Sequence, residues 1–137
     1  VVVLLLLAIL GGMAAARFGG RADYDEMAGA DQVRAALRLA QTLAMSRTNA
    51  LVCFQSSGAN PATIDVRLGS GSGVCSAAVS VSGYPLNLQQ LSVSAATISF
   101  NRLGQPSSAP SLTLTGTGTP RTLCLDAQTG YAYDAPC

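Results

Sequence analysis

The sequence predicts an α+β protein in which a long N-terminal α-helix packs on an antiparallel β-sheet domain. Three observations support this fold class: an unbroken apolar run opens the chain, an amphipathic helical pattern follows it, and the composition changes after Asn49. From there serine, threonine and glycine dominate, and apolar residues occupy alternate positions. Period-two alternation over short segments, with turn residues between them, is typical of antiparallel sheets.

The first element is a charge-free segment, residues 1–16, which is followed by Arg17. As an α-helix it would be about 24 Å long at 1.5 Å per residue, whereas crossing a bilayer takes about 20 apolar residues. The segment taken alone is therefore slightly short for a membrane span. A secretory signal would have this length, but it would have been removed from the mature protein. A buried core helix is a third alternative, although the aliphatic run would make it apolar on every side.

Residues 17–29 form a transition between two helical patterns. The glycine pair at 19–20 weakens a helix by about 1 kcal/mol per residue relative to alanine, so a continuous helix could bend or locally unwind there. This segment also carries an acidic cluster, which we interpret as a solvated face of the helix rather than a divalent-cation site. Its members are Asp23, Asp25 and Glu26.

The segment from Asp31 to about Thr48 has a strong amphipathic helical pattern, and Asp31 is a candidate cap for a new helix. At 100° per residue, one group of apolar side chains falls within an arc of about 160°. This apolar stripe consists of Val33, Ala36, Leu37, Leu39, Ala40, Leu43 and Ala44. The polar residues on the opposite side are Arg34, Arg38, Gln41 and Thr42. A helix with a single apolar stripe needs one sheet to cover it.

Several short segments after Asn49 alternate between apolar and polar residues and are predicted strands. They are Leu51–Gln55, Thr63–Leu68, Ala77–Ser82, Thr97–Asn101, Leu112–Thr115, Thr122–Leu125 and Tyr131–Tyr133. Turn residues separate them, as in Leu103–Pro106 and Gln128–Gly130, and the glycine-rich stretch Gly69–Gly73 is predicted to be a loop.

The composition argues against catalysis and against nucleic-acid binding. The net charge is +1 and 11% of residues are charged, whereas about 25% is usual for a soluble domain. All basic residues are arginines, and they are scattered rather than clustered. The chain has no histidine, the commonest general base and metal ligand, and no Lys-Ser/Thr follows Gly69–Gly73 as a phosphate-binding loop requires. We therefore predict no catalytic residue, no cofactor, no metal and no small-molecule substrate.

The four cysteines predict two disulfides. None of them forms a CxxC pair, and an even, widely spaced set in a chain that looks exported is typical of a disulfide framework. Of the three possible connectivities we favour the sequence-local one, Cys53–Cys75 with Cys124–Cys137. Four buried thiols in a cytosolic protein are the alternative.

Residues 1–18 resemble the segment that follows the phenylalanine-threonine-leucine-x-glutamate start of mature type IV pilins and pseudopilins. The resemblance implies the pilin fold and about six further residues ahead of Val1, which would make the apolar run long enough to span a bilayer. It implies a membrane and assembly helix made of Val1, Val2, Val3, Leu4, Leu5, Leu6, Leu7, Ala8, Ile9, Leu10, Gly11, Gly12, Met13, Ala14, Ala15 and Ala16. Ala16 stands where many pilins have proline.

Three further stretches resemble the GspH/FimT group of that superfamily, and within it the MshC-like minor pilins of the mannose-sensitive haemagglutinin pilus. They are Asp31–Gln41, Ile98–Pro106 and Cys124–Tyr131. The resemblance implies three parts: a transmembrane and filament-core helix over residues 1–16, a stalk helix over 17–50, and a globular antiparallel β domain over 51–137.

The function implied by this resemblance is that of a structural subunit of a type IV pilus or type II secretion filament. It would insert once in the bacterial inner membrane with its β domain in the periplasm, and then join other pilin or pseudopilin subunits in a periplasmic or extracellular filament. The alternative is a binding module displayed on a pilus, either an adhesin or a DNA-uptake receptor. Some members of the group bind DNA through a basic C-terminal region, but here Arg121 is the only basic residue after Pro120. Nucleic acid is therefore not an expected partner.

Overall fold

Two helices precede the β domain in the computed structural model, which describes residues 1–18, 21–70, 74–75 and 78–137. Helix α1 is Val2–Phe18 and helix α2 is Arg21–Ser46. The strands that follow are β1 Ala50–Ser56, β2 Ala62–Ser70, β3 Val79–Ser80, β4 Leu86–Leu88, β5 Ser92–Val93, β6 Ala96–Phe100, β7 Leu112–Thr115, β8 Arg121–Leu125 and β9 Ala132–Asp134.

The strands form two antiparallel sheets that share one helix. In the larger sheet the order is β3-β2-β1-β6, and β4 also pairs with β2. In the smaller sheet the order is β5-β7-β8-β9. Helix α2 contacts β1, β2 and β6 of the first sheet and β7 and β8 of the second. The fold is thus an α+β arrangement of a long helix on antiparallel sheets, as the sequence predicted, but two sheets rather than one cover the apolar stripe.

The core lies between α2 and the inner faces of the sheets. Strand register places Phe54 of β1 opposite both Val66 of β2 and Ile98 of β6, and all three side chains are fully buried. On the helix, Val33 and Leu37 are buried against this layer together with the alanines of the stripe, Ala36, Ala40 and Ala44. Leu39 and Leu43 are half-buried. Small residues on the helix let the backbones approach closely, while the large residues come from the strands.

Helix α2 begins ten residues earlier than a cap at Asp31 would place its start. The segment from Arg21 onward is helical because its inward side is also covered: Glu26, Gly29 and Ala30 are buried. The predicted bend at residues 19–20 lies outside the described residues.

The strand predictions missed β4 and β5, which have three and two residues and are too short to show an alternating pattern. The predicted strand at 77–82 is reduced to Val79–Ser80, and Ala77 lies outside the described residues. The last strand begins at Ala132 rather than Tyr131. Strand β2 runs on to Ser70, into the stretch predicted to be a loop; residues 71–73 are not described.

Replacing Ala36 with leucine tests the tight contact between α2 and the sheets. Ala36 is fully buried, so the added atoms must displace neighbours, and we expect Ala36→Leu to lower the free energy of unfolding by about 1–3 kcal/mol. The neighbouring Ala35 is exposed, and Ala35→Leu should change stability by less than about 0.5 kcal/mol. Denaturant unfolding of the two variants measures both values. Equal stabilities would contradict the packing described here.

Candidate functional site

Helix α1 has an uncovered apolar surface over residues 2–13. Side-chain exposure is 72% for Leu4, 59% for Leu7 and 52% for Ile9, and residues 1–13 are all classed as exposed. Such a surface is far more apolar than the exposed parts of soluble monomers, and contiguous apolar patches mark sites of protein or membrane contact. Helix α1 therefore carries a contiguous exposed apolar surface.

Two further features of α1 bear on which partner fits this surface. The helix has 17 residues, and among the described parts of the chain no helix combines the length and apolarity needed to cross a bilayer. A Cβ built at Gly11 or at Gly12 meets no atom within 4 Å, so these positions present bare backbone to the surroundings. Small residues of this kind allow another helix to approach closely.

The acidic start of α2 is attached to the β domain rather than solvated. The Oε1 atom of Glu26 accepts hydrogen bonds from the backbone N–H groups of Gly116 at 3.1 Å and Gly118 at 2.9 Å. Asp23 accepts a longer one from the N–H of Thr119, at 3.3 Å. Glu26 is fully buried, so the prediction of a solvated face is wrong for this residue. Asp23 and Asp25 are exposed.

The loop between β7 and β8 is shaped to receive Glu26. A Cβ at Gly116 would lie 2.6 Å from a methyl carbon of Leu91 and 3.0 Å from Glu26 Oε1, so a larger residue would displace these side chains. A buried carboxylate needs hydrogen-bond donors, and two backbone amides supply them. The sequence contains both partners, an acidic residue in a helical segment and a glycine at position 116. Nothing in the sequence indicates that these two residues are in contact.

The polar side of α2 contacts the C-terminal hairpin, which consists of β8 and β9. Arg34 forms ion pairs with Asp31, at 3.0 Å, and with Asp134 of β9. Further along the helix, Arg38 lies 6.0 Å from the centroid of the Tyr131 ring. The sequence placed Arg34 and Arg38 opposite the apolar stripe, and the structure shows that this side also makes tertiary contacts.

Gln41 completes this set of contacts from the next turn of α2. Its side-chain nitrogen donates to the carbonyl oxygens of Gly104, at 3.1 Å, and Thr129. One amide group thus ties together the loop after β6 and the turn between β8 and β9.

Both disulfides join the cysteine pairs that the sequence favoured. Cys53 of β1 is bonded to Cys75, which lies in the connection between β2 and β3. Cys124 of β8 is bonded to Cys137, the last residue of the sequence. The second bond closes a separation of 13 residues and holds the chain end beside the smaller sheet, a constraint that contributes about 3 kcal/mol in the chain-entropy account.

The turn between β8 and β9 is organised by Asp126. Its Oδ1 accepts from the N–H of Gln128 at 3.0 Å, and from the N–H and the hydroxyl of Thr129 at 2.7 and 2.8 Å. The hydrogen bonds from the Thr129 backbone and side chain, and then that from Gln128, stabilise the ionised form and lower the pKa of Asp126. Gly130 follows with φ of +68°, a conformation that favours glycine.

Within residues 1–18, 21–70, 74–75 and 78–137 no group of three or more His, Cys, Asp or Glu side chains is placed to hold a metal ion. The buried carboxylates are Glu26 and Asp65, and each is bonded to groups of its own chain.

The fold defines the class of protein. Two crystal forms of the type IV minor pilin FimU from Pseudomonas aeruginosa strain PAO1 share it, with TM-scores of 0.57 and 0.53 at 15% and 17% sequence identity. The first alignment covers 83% of this chain and 90% of FimU, and the second covers 80% and 92%. At these identities the likeness concerns the fold alone: the chain has the α+β fold of this pilin.

A family model described as Type II transport protein GspH matches residues 29–130, well over half of the chain. The chain therefore belongs to the GspH family, a family of pilin-class structural proteins. No curated protein matches the sequence. The matched region begins within α2, so it covers most of that helix and most of the β domain but not α1.

Replacing Glu26 with alanine tests the contact between α2 and the β7–β8 loop. The variant leaves the N–H groups of Gly116 and Gly118 without their acceptor, so we expect a loss of about 1–3 kcal/mol in the free energy of unfolding. Hydrogen exchange at these two amides should accelerate. Asp25→Ala is the control, because Asp25 is exposed and forms no hydrogen bond in the described structure. Unchanged exchange in Glu26→Ala would refute the contact.

The β8–β9 turn should loosen at low pH. Because the pKa of Asp126 is lowered in the folded protein, its stabilising effect is present above the unfolded aspartate pKa of about 3.9 and is lost as pH falls through the lower folded value. An NMR titration of the Thr129 amide should show a midpoint below 3.9 that disappears in Asp126→Asn. A midpoint at or above 3.9 would show that these hydrogen bonds do not form in solution.

Proposed function

We propose that this protein is a minor pilin or pseudopilin that enters a type IV pilus or type II secretion filament through its N-terminal helix. The observation that carries the proposal is the exposure of the apolar side chains of α1 in a chain whose other helix is packed on two sheets. Family membership supports the structural role, and the fold shared with a minor pilin supports the arrangement of helix and domain.

Before assembly, α1 would lie in the bacterial inner membrane, with the β domain in the periplasm. This localisation accounts for residues 1–13, whose apolar side chains would otherwise face water. The two disulfides support it as well, because disulfides form and persist in the periplasm but are rare in the cytosol.

On assembly, α1 would leave the lipid and pack against the N-terminal helices of other pilin subunits. Lipid tails are as apolar as leucine, so burial alone provides little net driving force for this transfer. Close packing between helices must contribute, and the small residues supply the surface for it. These residues are Gly11, Gly12, Ala14, Ala15 and Ala16. The proposed partners are therefore other pilin or pseudopilin subunits.

The β domain would be carried on the outside of the filament and held in a defined orientation to its helix. The bonds from Glu26 to the β7–β8 loop and from Gln41 to the loops at Gly104 and Thr129 fix the domain on α2 along its length. Because the attachment involves both sheets, a force on the helix would reach the whole domain.

The more specific assignment rests on the stretches at 31–41, 98–106 and 124–131. Their resemblance to the MshC-like minor pilins of the mannose-sensitive haemagglutinin pilus supports the proposal that the chain is closest to that group. We propose no enzymatic activity, because a filament subunit works through binding and not through chemistry.

Replacing Gly12 with leucine tests assembly through α1. The side chain meets no atom of its own chain, so we expect the subunit to fold and insert normally. In the filament it would separate neighbouring helices, and incorporation should fall at least several-fold because close packing is lost. The measurement is the amount of subunit in sheared filaments relative to the membrane fraction.

Ala109→Leu is the matched control for this experiment, because Ala109 is exposed in a loop of the β domain. It places a side chain of the same final size in the β domain and should leave incorporation unchanged. If Gly12→Leu had no effect while the β-domain variant abolished incorporation, the working surface would be the β domain and the proposal would fail.

A further inference from the structure

Large apolar side chains are exposed at both ends of helix α2. Outside α1, seven such side chains are exposed among the described residues, and five of them lie at the ends of this helix. These five are Tyr24, Met27, Met45, Leu103 and Tyr131. Each is more than half exposed, so the packing of α2 on the sheets does not account for them. Exposed apolar patches rimmed by polar residues mark sites of protein contact.

The distal patch lies where α2 ends and is one continuous surface. Its apolar members are Met45, Leu103 and Tyr131. A Cβ built at Gly104 would lie 3.1 Å from Met45 Sδ, and one at Gly130 would lie 2.9 Å from Gln41 Nε2. The same Gln41 nitrogen donates to the Gly104 carbonyl oxygen. Because the two glycines are the chain neighbours of Leu103 and Tyr131, the three apolar side chains are brought together at this end of the domain.

Three arginines flank the distal patch. Arg38 lies 6.0 Å from the centroid of the Tyr131 ring, and Arg102 is in the loop after β6. Arg47 precedes Thr48, which lines the same surface depression as Arg102. All three arginines are exposed and form no ion pair with the described residues. Tyrosine, methionine and arginine are among the residue types enriched at protein interfaces.

The proximal patch, where α2 begins, has the opposite charge. It consists of Asp23, Tyr24, Asp25 and Met27, all of which are exposed. Residues 21–31 hold four carboxylates and one arginine, whereas residues 32–64 hold three arginines and no carboxylate. Tyr24 and Met27 are three positions apart, so they are neighbours on the helix surface. An acidic apolar patch is thus present at one end of α2 and a basic apolar patch at the other.

The two patches are far apart along the helix and differ in charge. Met27 and Met45 are 18 positions apart, which is about 27 Å at 1.5 Å per residue. A twofold dimer would bring the same patch of both copies together and would oppose arginine with arginine. A contact between unlike patches instead leaves one patch free on each copy, and it continues as an open filament unless the rotation closes a ring.

We propose that the distal patch of one copy of this chain binds the proximal patch of a second copy that is offset along the filament axis. The proposal rests on the function proposed above, and it names a contact between β domains that would accompany the contacts of α1. The apolar side chains would supply the buried area, and the three arginines would face Asp23 and Asp25. Opposite charges arranged in this way fix the register of the two copies and disfavour the reversed pairing.

Photo-crosslinking in assembled filaments tests the proposal. The full chain carries p-benzoylphenylalanine in place of Tyr24, cells that produce it are irradiated, and the crosslinked peptides of sheared filaments are identified by mass spectrometry. We expect links to Met45, Leu103 or Tyr131 of this chain. Links to residues 116–120 are contacts within one copy, because the β7–β8 loop is bonded to the start of α2. Filaments that contain the subunit but show links only to those residues, to α1 or to a different protein would overturn the proposal.

Charge reversal provides a second measurement. Asp25→Arg and Arg102→Asp should each lower the yield of the distal crosslink about tenfold, because like charges would then oppose each other in the contact. The double variant restores opposite charges and should recover most of the yield. Ala109→Asp is the control, since it adds a charge to an exposed loop outside both patches and should leave the yield unchanged.

The outcomes separate this proposal from the function on which it rests. If the parent chain is absent from sheared filaments, the proposed function fails and this contact fails with it. If the parent is incorporated but neither single reversal lowers the crosslink, or the double variant does not recover it, the contact alone is refuted and the role of α1 stands.

Discussion

The packing of α2 against two separate sheets is the interaction on which the rest of the structure depends. The larger and smaller sheets have independent hydrogen-bond ladders, and the helix contacts both of them. Without the apolar stripe of α2, the inner faces of both sheets would be exposed to water. These faces carry Phe54, Ile98 and Leu114, and each of the three side chains is fully buried. Because burial of apolar area is the dominant favourable term in folding, α2 acts as the common core of the domain.

The two helices differ in how far they pack on the β domain. Helix α2 is held by apolar packing on one side, by Glu26 near its beginning, and by Arg34 and Gln41 on the side that faces the C-terminal hairpin. The apolar side chains of α1 over residues 1–13 are exposed all round. The packing of the domain therefore depends on α2, whereas residues 1–13 of α1 are not covered by it.

This chain and FimU share the fold at 15% sequence identity. In this chain the core combines a helix face that consists largely of alanines with strands that supply most of the large residues. The side chains on the polar outer face of the larger sheet do not contribute to the core.

The sequence by itself determined the fold class, the apolar stripe of α2 and most strands, because helical and strand periodicity are local and Leu112–Thr115 alternates within four residues. It also favoured the cysteine pairs that the structure contains. It could not determine the division into two sheets, or strands as short as Ser92–Val93. The sequence also could not predict the contact of Glu26 with Gly116, or the strand register that aligns Gln55 with Asp65 and Thr97. These features depend on pairing between residues far apart in the chain, which only the tertiary structure decided.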